Sequence, residues 1–261
     1  MTMLIAHLSD PHITTGPLGG EPASGLQLAL ARVMALDPRP DCVVITGDLT
    51  DHGRPDEYDA LGDIVGAFPL PLHLITGNHD NREMLLDAFG GGPLLGESME
   101  AHYAVEYPDA TIVALDSLIP GSPAGRLGDA QLAWLDDVLD RRPDVPALVG
   151  VHHPPMPVGI PFLDGMRLID EDGLEEVVGA HPNVVRVMAG HVHRPVTAAF
   201  AGSILTVAPS TYRQTGLVLT SDEPPGYLAE PTAFLLHILD ETDCITHTVP
   251  VSHAAARLGA Y

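Results

Sequence analysis

The chain has 261 residues, 45% of them apolar and 18% charged, which allows a sizeable core and excludes disorder as its main state. Twelve basic residues stand against 35 acidic ones, giving a formal charge of -23. That balance excludes nucleic-acid backbones and anionic membranes as non-specific partners, and an anionic substrate would need a local positive centre.

Short β-branched runs alternate with amphipathic segments along the chain, which predicts an α/β architecture. The order opens with a strand over 3–8, a helix over 25–36 and a strand over 41–46. A helix over 55–67 follows, with Pro55 suited to its first turn, then a strand over 71–76 and a helix over 82–89. Strands over 101–107 and 110–115 read as a hairpin turning at Pro108 and Asp109. Next come a helix over 129–140, a strand over 146–151, a helix over 172–180 with an acidic start, and a strand over 184–189. The closely spaced strands 196–200, 203–208, 233–239 and 244–249 imply antiparallel pairing and therefore mixed sheets.

Glycine- and proline-rich stretches at 16–25, 90–98, 117–128, 153–165 and 221–232 read as loops. None divides segments of contrasting composition, so one domain over 1–261 is expected, with C-terminal strands and a lid or subunit-contact segment from about 210. Cys42 and Cys244 lie in apolar runs and read as buried, reduced thiols. With no secretory leader and no 18-residue apolar span, the cytoplasm is the expected location.

The chemistry gathers where strands end. "LIAHLSDPH" closes on Asp10 and His12, "CVVITGDLTD" on Asp48, "LHLITGNHD" on Asn78 and His79, "ALVGVHHPP" on His152, and "VRVMAGHVH" on His191 and His193. In open α/β sheets, ligands collect beyond strand carboxyl ends. Gly47, Gly77 and Gly190 directly precede key residues and suit sharp exits with close backbone approach. Carboxylate, imidazole and amide oxygen without thiolate suit Mn, Fe, Zn or Co and argue against a structural zinc site. Seven such groups are too many for one ordinary site and enough for two ions sharing a carboxylate. Paired ions about 3.5–4 Å apart clamp a phosphoryl group and supply the missing positive charge.

"DPH", "GDLTD", "GNHD", "HHPP" and "GHVH", in this order, resemble the calcineurin-like metallophosphoesterase superfamily. "GRPDEY" and "HHPPMPVG" are most similar to bacterial class III cyclic-nucleotide phosphodiesterases and related glycerophosphodiesterases. The resemblance spans about residues 3–210 and implies an αββα sandwich of four layers, two mixed β-sheets flanked by helices. It implies Asp10, His12 and His193 on one divalent ion, Asn78, His152 and His191 on the second, and Asp48 bridging. His79 corresponds to a non-ligand histidine facing the leaving-group oxygen, and Asp51 is the expected carboxylate partner orienting it. A small phosphodiester is the implied substrate, cyclic nucleotide or glycerophosphodiester, with self-association into a dimer or larger homo-oligomer.

A phosphomonoesterase or nucleotidase on the same centre is the alternative, but monoesters carry more charge and usually meet additional arginines. A silent binding module would be expected to have lost ligands. His7, His73, His102, His181, His237, His247 and His253 read as structural or surface groups. His153 would point away from the site if the strand continued. His52, Arg54 and Arg194 read more readily as loop residues than as site lining, while Tyr212 and Arg213 divide evenly between lining and turn packing.

Overall fold

A computed structural model describes residues 2–220, 223–241 and 243–251. Strand β1 (Met3–Leu8) leads to helix α1 (Gly20–Met34), β2 (Cys42–Thr46) to α2 (Pro55–Val65), and β3 (Leu72–Ile75) to α3 (Arg82–Phe89). The hairpin β4 (Tyr103–Glu106) and β5 (Thr111–Ala114) precedes α4 (Asp129–Asp140), β6 (Ala147–Gly150), α5 (Pro161–Asp164) and α6 (Glu171–Ala180). The chain continues through β7 (Val184–Ala189), β8 (Val196–Phe200) and β9 (Ser203–Val207). The two-residue strands β10 (Gln214–Thr215) and β11 (Tyr227–Leu228) pair as a ribbon, and β12 (Ala233–Asp240) and β13 (Asp243–Pro250) follow.

Two mixed sheets result. One runs β13-β12-β1-β2-β3 and the other β4-β5-β6-β7-β9-β8. In the first, β1, β2 and β3 are parallel and β12 is antiparallel to β1; in the second, β5, β6, β7 and β9 are parallel. The strand pleat explains the layering. Along β5, Ile112 and Ala114 join the core shared with β1, β2 and β3, whereas Val113 joins the core under α4 and α6. Leu148 against Val149, and Met188 against Val187, repeat the alternation. Successive side chains on a strand point to opposite faces, so the second sheet packs on the first with one face and on its helices with the other. Helices α1, α2 and α3 contribute Leu26, Leu61 and Leu85 to the first core.

The sequence is read too late for α1, which starts at Gly20 within the expected loop over 16–25. Pro22 lies in its first turn, where the missing N–H would have no helical partner anyway. The loop over 153–165 holds the short α5, and the stretch over 221–232 contributes β11. Pro55 does open α2, and the β4–β5 hairpin pairs Glu106 with Thr111 across the turn. Both cysteines are free thiols, Cys42 buried and Cys244 half-buried. His253 lies outside the described residues.

Candidate metal centre

Parallel strands share a carboxyl edge, so the loops after β1, β2 and β3 emerge together and meet those after β6 and β7 from the facing sheet. Backbone bonds zip these exits into one surface: Asp10 N donates to Gly47 O (3.1 Å), His12 N to Asp48 O (2.9 Å) and Gly190 N to His152 O (3.0 Å). The turns are sharp. Five of the seven expected ligands, Asp10, His12, Asp48, His191 and His193, have φ between 47 and 69°, the left-handed region. A side chain there costs about 1–3 kcal/mol, and such outliers persist where surrounding structure holds them for a purpose. Close approach also requires two glycines. A Cβ on Gly77 would collide with Asp48 N, and one on Gly190 with Ser9 Oγ and, at 2.7 Å, Thr46 O.

Asp10, His12, Asp48 and His193, all buried, bring their ligand atoms within 4.8 Å of one another. Asn78 Oδ1 faces His152 Nε2 at 3.1 Å and His191 Nδ1 at 2.9 Å. Asp48 lies between the groups, with Oδ2 3.5 Å from His12 Nε2 and Oδ1 3.3 Å from His152 Nε2.

The hydrogen bonds show that these atoms fit cations. His193 Nδ1 donates to Arg213 O at 2.8 Å, His152 Nδ1 to Thr46 O at 2.7 Å, and His12 Nδ1 to Asp51 Oδ1 at 3.2 Å. With their Nδ1 protons so committed, His12 and His193 turn Nε2 lone pairs towards each other across 3.0 Å. Two lone pairs at that distance repel unless a proton or a cation lies between them. Fixing one ring nitrogen on a carbonyl or carboxylate is also how metal-ligating histidines are oriented.

The electrostatics agree. Burial pushes Asp10 up to about 6, despite neighbouring histidines. Burial would raise Asp48 as well, yet His152, His12 and His79 hold it well below the usual carboxylate range. Burial lowers His191 to about 3 and His193 to about 4, leaving both as neutral donors. His152 is the exception: burial opposes its charge, but Asp48 and Asp10 carry it up to about 9. Its proton occupies the position that a cation would take.

His79 presents a half-exposed ring beside these groups. Its N–H donates to Asp48 Oδ1 (2.9 Å) and its Nδ1 to Asp51 O (2.9 Å). That fixes the tautomer and leaves Nε2 without a hydrogen-bond partner among the described residues. Burial lowers its basicity, but Asp48 and Asp51 outweigh burial and raise the pKa.

The Asp51 carboxylate, expected to pair with His79, is shared with His12, to which it lies nearer. Asp51 Oδ1 lies 3.9 Å from His79 Nδ1 but 3.2 Å from His12 Nδ1, so the main chain of Asp51 orients His79 and its carboxylate orients His12.

Other residues also differ from expectation. His153 does not point away; it is fully buried, its ring 4.9 Å from those of His152 and His191, with Nδ1 on Ser117 Oγ at 2.7 Å. Arg194 donates to Thr215 O (2.6 Å) and Glu230 Oε2 (2.9 Å), fastening the β10–β11 ribbon. His52 and Arg54 serve Glu57, a buried carboxylate that accepts from both their backbones and both their side chains. Asp80 clamps two strand exits, accepting from Gly77 N, Leu49 N, Thr50 N, Thr50 Oγ1 and Tyr58 OH. The cap of α3 is Asn81, whose side chain accepts from Glu83 N and Met84 N. Sequence patterns offered no sign of Ser210, whose hydroxyl donates to Asp10 O (2.7 Å) and accepts from Tyr212 N and Arg213 N. Tyr227, delivered by β11 to a ring distance of 5.7 Å from His193, was equally hidden in the irregular stretch before β12.

Comparison with known proteins places this arrangement. The chain is 32% identical over 252 residues to a probable glycerophosphodiester phosphodiesterase of Arcobacter nitrofigilis, covering 94% of this chain and 92% of the relative. It is 30% identical over 214 residues to a 3′,5′-cyclic adenosine monophosphate phosphodiesterase of Pseudomonas aeruginosa, covering 80% and 76%. Among solved structures, a dimetal phosphatase from Danio rerio shares the fold with a TM-score of 0.68 at 19% identity, over 95% of this chain and 96% of that one. A purple acid phosphatase from yellow lupin gives a TM-score of 0.71 at 13% identity, over 97% and 52%. Residues 3–195 match the calcineurin-like phosphoesterases, and the chain belongs to that family.

Proposed function

We propose that the chain is a phosphodiesterase with a binuclear metal centre, acting on a small diester, a cyclic nucleotide or a glycerophosphodiester. The observation that carries this reading is the shared carboxylate: each oxygen of Asp48 faces a separate cluster of buried donors. Asp10, His12, His193 and one oxygen of Asp48 would hold one divalent ion; Asn78, His152, His191 and the other oxygen would hold the second. The donor set suits Mn, Fe, Zn or Co. Such ions supply positive charge to the phosphoryl oxygens and lower the pKa of water towards neutrality.

The chain's own residues contribute the rest. Asp51 O holds the half-exposed His79 ring through Nδ1, which leaves Nε2 free to carry and deliver a proton beside the centre. His79 can therefore protonate the departing alkoxide, the difficult step for a diester with a poor leaving group. Arg54, Arg82 and Arg194 are each paired with a carboxylate, while Arg213 donates to the Tyr212 hydroxyl and has no ion pair among the described residues. Three nearby guanidinium groups neutralised in this way suit a singly charged diester better than a dianionic monoester.

Relatives named as glycerophosphodiester and cyclic-nucleotide phosphodiesterases support the same class. Two free thiols fit a cytoplasmic setting, and no helix among the described residues is long and apolar enough to cross a membrane. A panel on metal-defined enzyme tests the reading: 3′,5′- and 2′,3′-cyclic nucleotides, glycerophosphodiesters, and bis(p-nitrophenyl) phosphate against p-nitrophenyl phosphate. Faster turnover of diesters is expected; a wide margin in favour of the monoester would overturn it.

A further inference from the structure

The β10–β11 ribbon is fixed to the centre at several points. Thr215 N donates to His193 O (3.3 Å), Gln214 Nε2 to Ser210 O (2.7 Å), and Arg194 ties Thr215 O to the Glu230 carboxylate. A ribbon held this way places its side chains reproducibly, and the one it brings to the centre is Tyr227. That residue is 58% exposed, its ring tilted 31° to the His193 ring at 5.7 Å between centroids. This exposure leaves Tyr227 accessible to a ligand beside the centre.

Arg213 completes the feature. Its backbone carbonyl orients His193, while its guanidinium stacks 4.2 Å over the Tyr212 ring and lies 5.8 Å from the Tyr227 centroid. In a chain with a formal charge of -23, it has no carboxylate partner among the described residues. Next to Tyr227 a crevice of about 160 Å³ is bounded by Phe162, Leu163, Pro224 and Pro225. An aromatic face, a delocalised cation and an apolar wall recognise a planar π-system. A glycerol moiety would instead require several donors and acceptors for its hydroxyls. A choline head group also binds aromatic faces, but here it would meet the guanidinium that already covers Tyr212.

We infer that Tyr227 and Arg213 form the subsite that receives the base of a nucleotide diester, so the enzyme selects cyclic nucleotides over glycerophosphodiesters. This rests on the phosphodiesterase reading and adds to it the residues that choose the substrate. Tyr227 stacks on the base, and Arg213 donates to acceptors on its edge or to the adjoining phosphate. Arg194 and Glu230 hold the ribbon and are positioning residues.

The test compares kcat/KM for 3′,5′-cyclic AMP and glycerophosphocholine in the wild type, Tyr227→Ala and Tyr227→Phe, each loaded with manganese. The preference for cyclic AMP should fall about 10–100-fold in Tyr227→Ala, the range expected of one stacking aromatic, and stay within about threefold of wild type in Tyr227→Phe. Calorimetric binding of the slowly cleaved adenosine 3′,5′-cyclic phosphorothioate should weaken in Tyr227→Ala by a similar factor. Equal losses on both substrates, no loss on either, or unchanged binding of the phosphorothioate would overturn the inference. Failure of the underlying reading looks different: the wild type would cleave p-nitrophenyl phosphate ahead of both diesters, and the phosphorothioate experiment would still decide whether Tyr227 contacts a base.

Discussion

Replacing Asp51 separates two roles that the sequence left merged. Its carboxylate lies 3.2 Å from His12 Nδ1 and 3.9 Å from His79 Nδ1, so its loss should weaken the first metal position and leave His79 oriented by the Asp51 main chain. A hydrogen bond to a charged group contributes about 1.5–3 kcal/mol. The Asp51 side chain is 37% exposed, and solvent screening reduces the contribution to about 1–2 kcal/mol. Asp51→Ala should therefore weaken binding of one manganese ion about 5–30-fold, overlapping the lower end of the roughly 10–100-fold usual for residues that support a metal-bound histidine. Asp51→Asn keeps an oxygen able to accept from His12 Nδ1 and should recover part of that loss. Titration of chelator-stripped protein, followed by kcat against pH at saturating metal, measures both. Unchanged metal affinity in Asp51→Ala, with a shifted limb in the pH profile, would refute this assignment and restore Asp51 as the partner of His79.

His79→Ala should retain two metal equivalents while kcat on an alkyl diester falls about 10²–10⁴-fold, with a smaller loss on p-nitrophenyl esters, whose leaving group needs no proton. In protein without bound metal, the His152 pKa of about 9 means that binding at pH 7 displaces a proton. The affinity for the second ion should drop about tenfold per unit as pH falls below 9, and calorimetry in buffers of different ionisation enthalpy counts the proton released. Away from the centre, burial lowers His7 to about 3 where it meets His237 Nε2 at 3.2 Å and Thr46 Oγ1 at 2.9 Å. A depressed folded pKa gives stability that is full above about 6.5 and lost as pH falls towards 3, about 1.4 kcal/mol per unit in between. The His7 ring resonances should show no titration between pH 8 and 5, and the urea midpoint should fall over that range; a ring midpoint near 6.5 would contradict its burial as a neutral group.

The legible part of the fold follows from its burial. β1, β2 and β3 are buried almost throughout, so their unbroken apolar runs stand out, and the polar residues just beyond them mark the carboxyl edge. The same logic brought forward all seven expected ligands and His79, which the structure gathers at one mouth. Side-chain direction was not legible. "GDLTD" places a carboxylate near two histidines, and only the turn after β2 decides that it faces His12. Nor do local patterns reveal buried polar clamps such as Glu57 and Asp80, whose partners come from neighbouring loops and from different strand exits. The β10–β11 ribbon has two residues per strand, too few to show a period, and its placement depends on Arg194 and Glu230, 36 positions apart.

The paired centre itself is tested most directly by anomalous diffraction from crystals soaked in manganese. Two peaks are expected about 3.5–4 Å apart, one beside Asp10, His12 and His193, the other beside Asn78, His152 and His191, with Asp48 between them. A single peak, or two peaks that do not share Asp48, would contradict it.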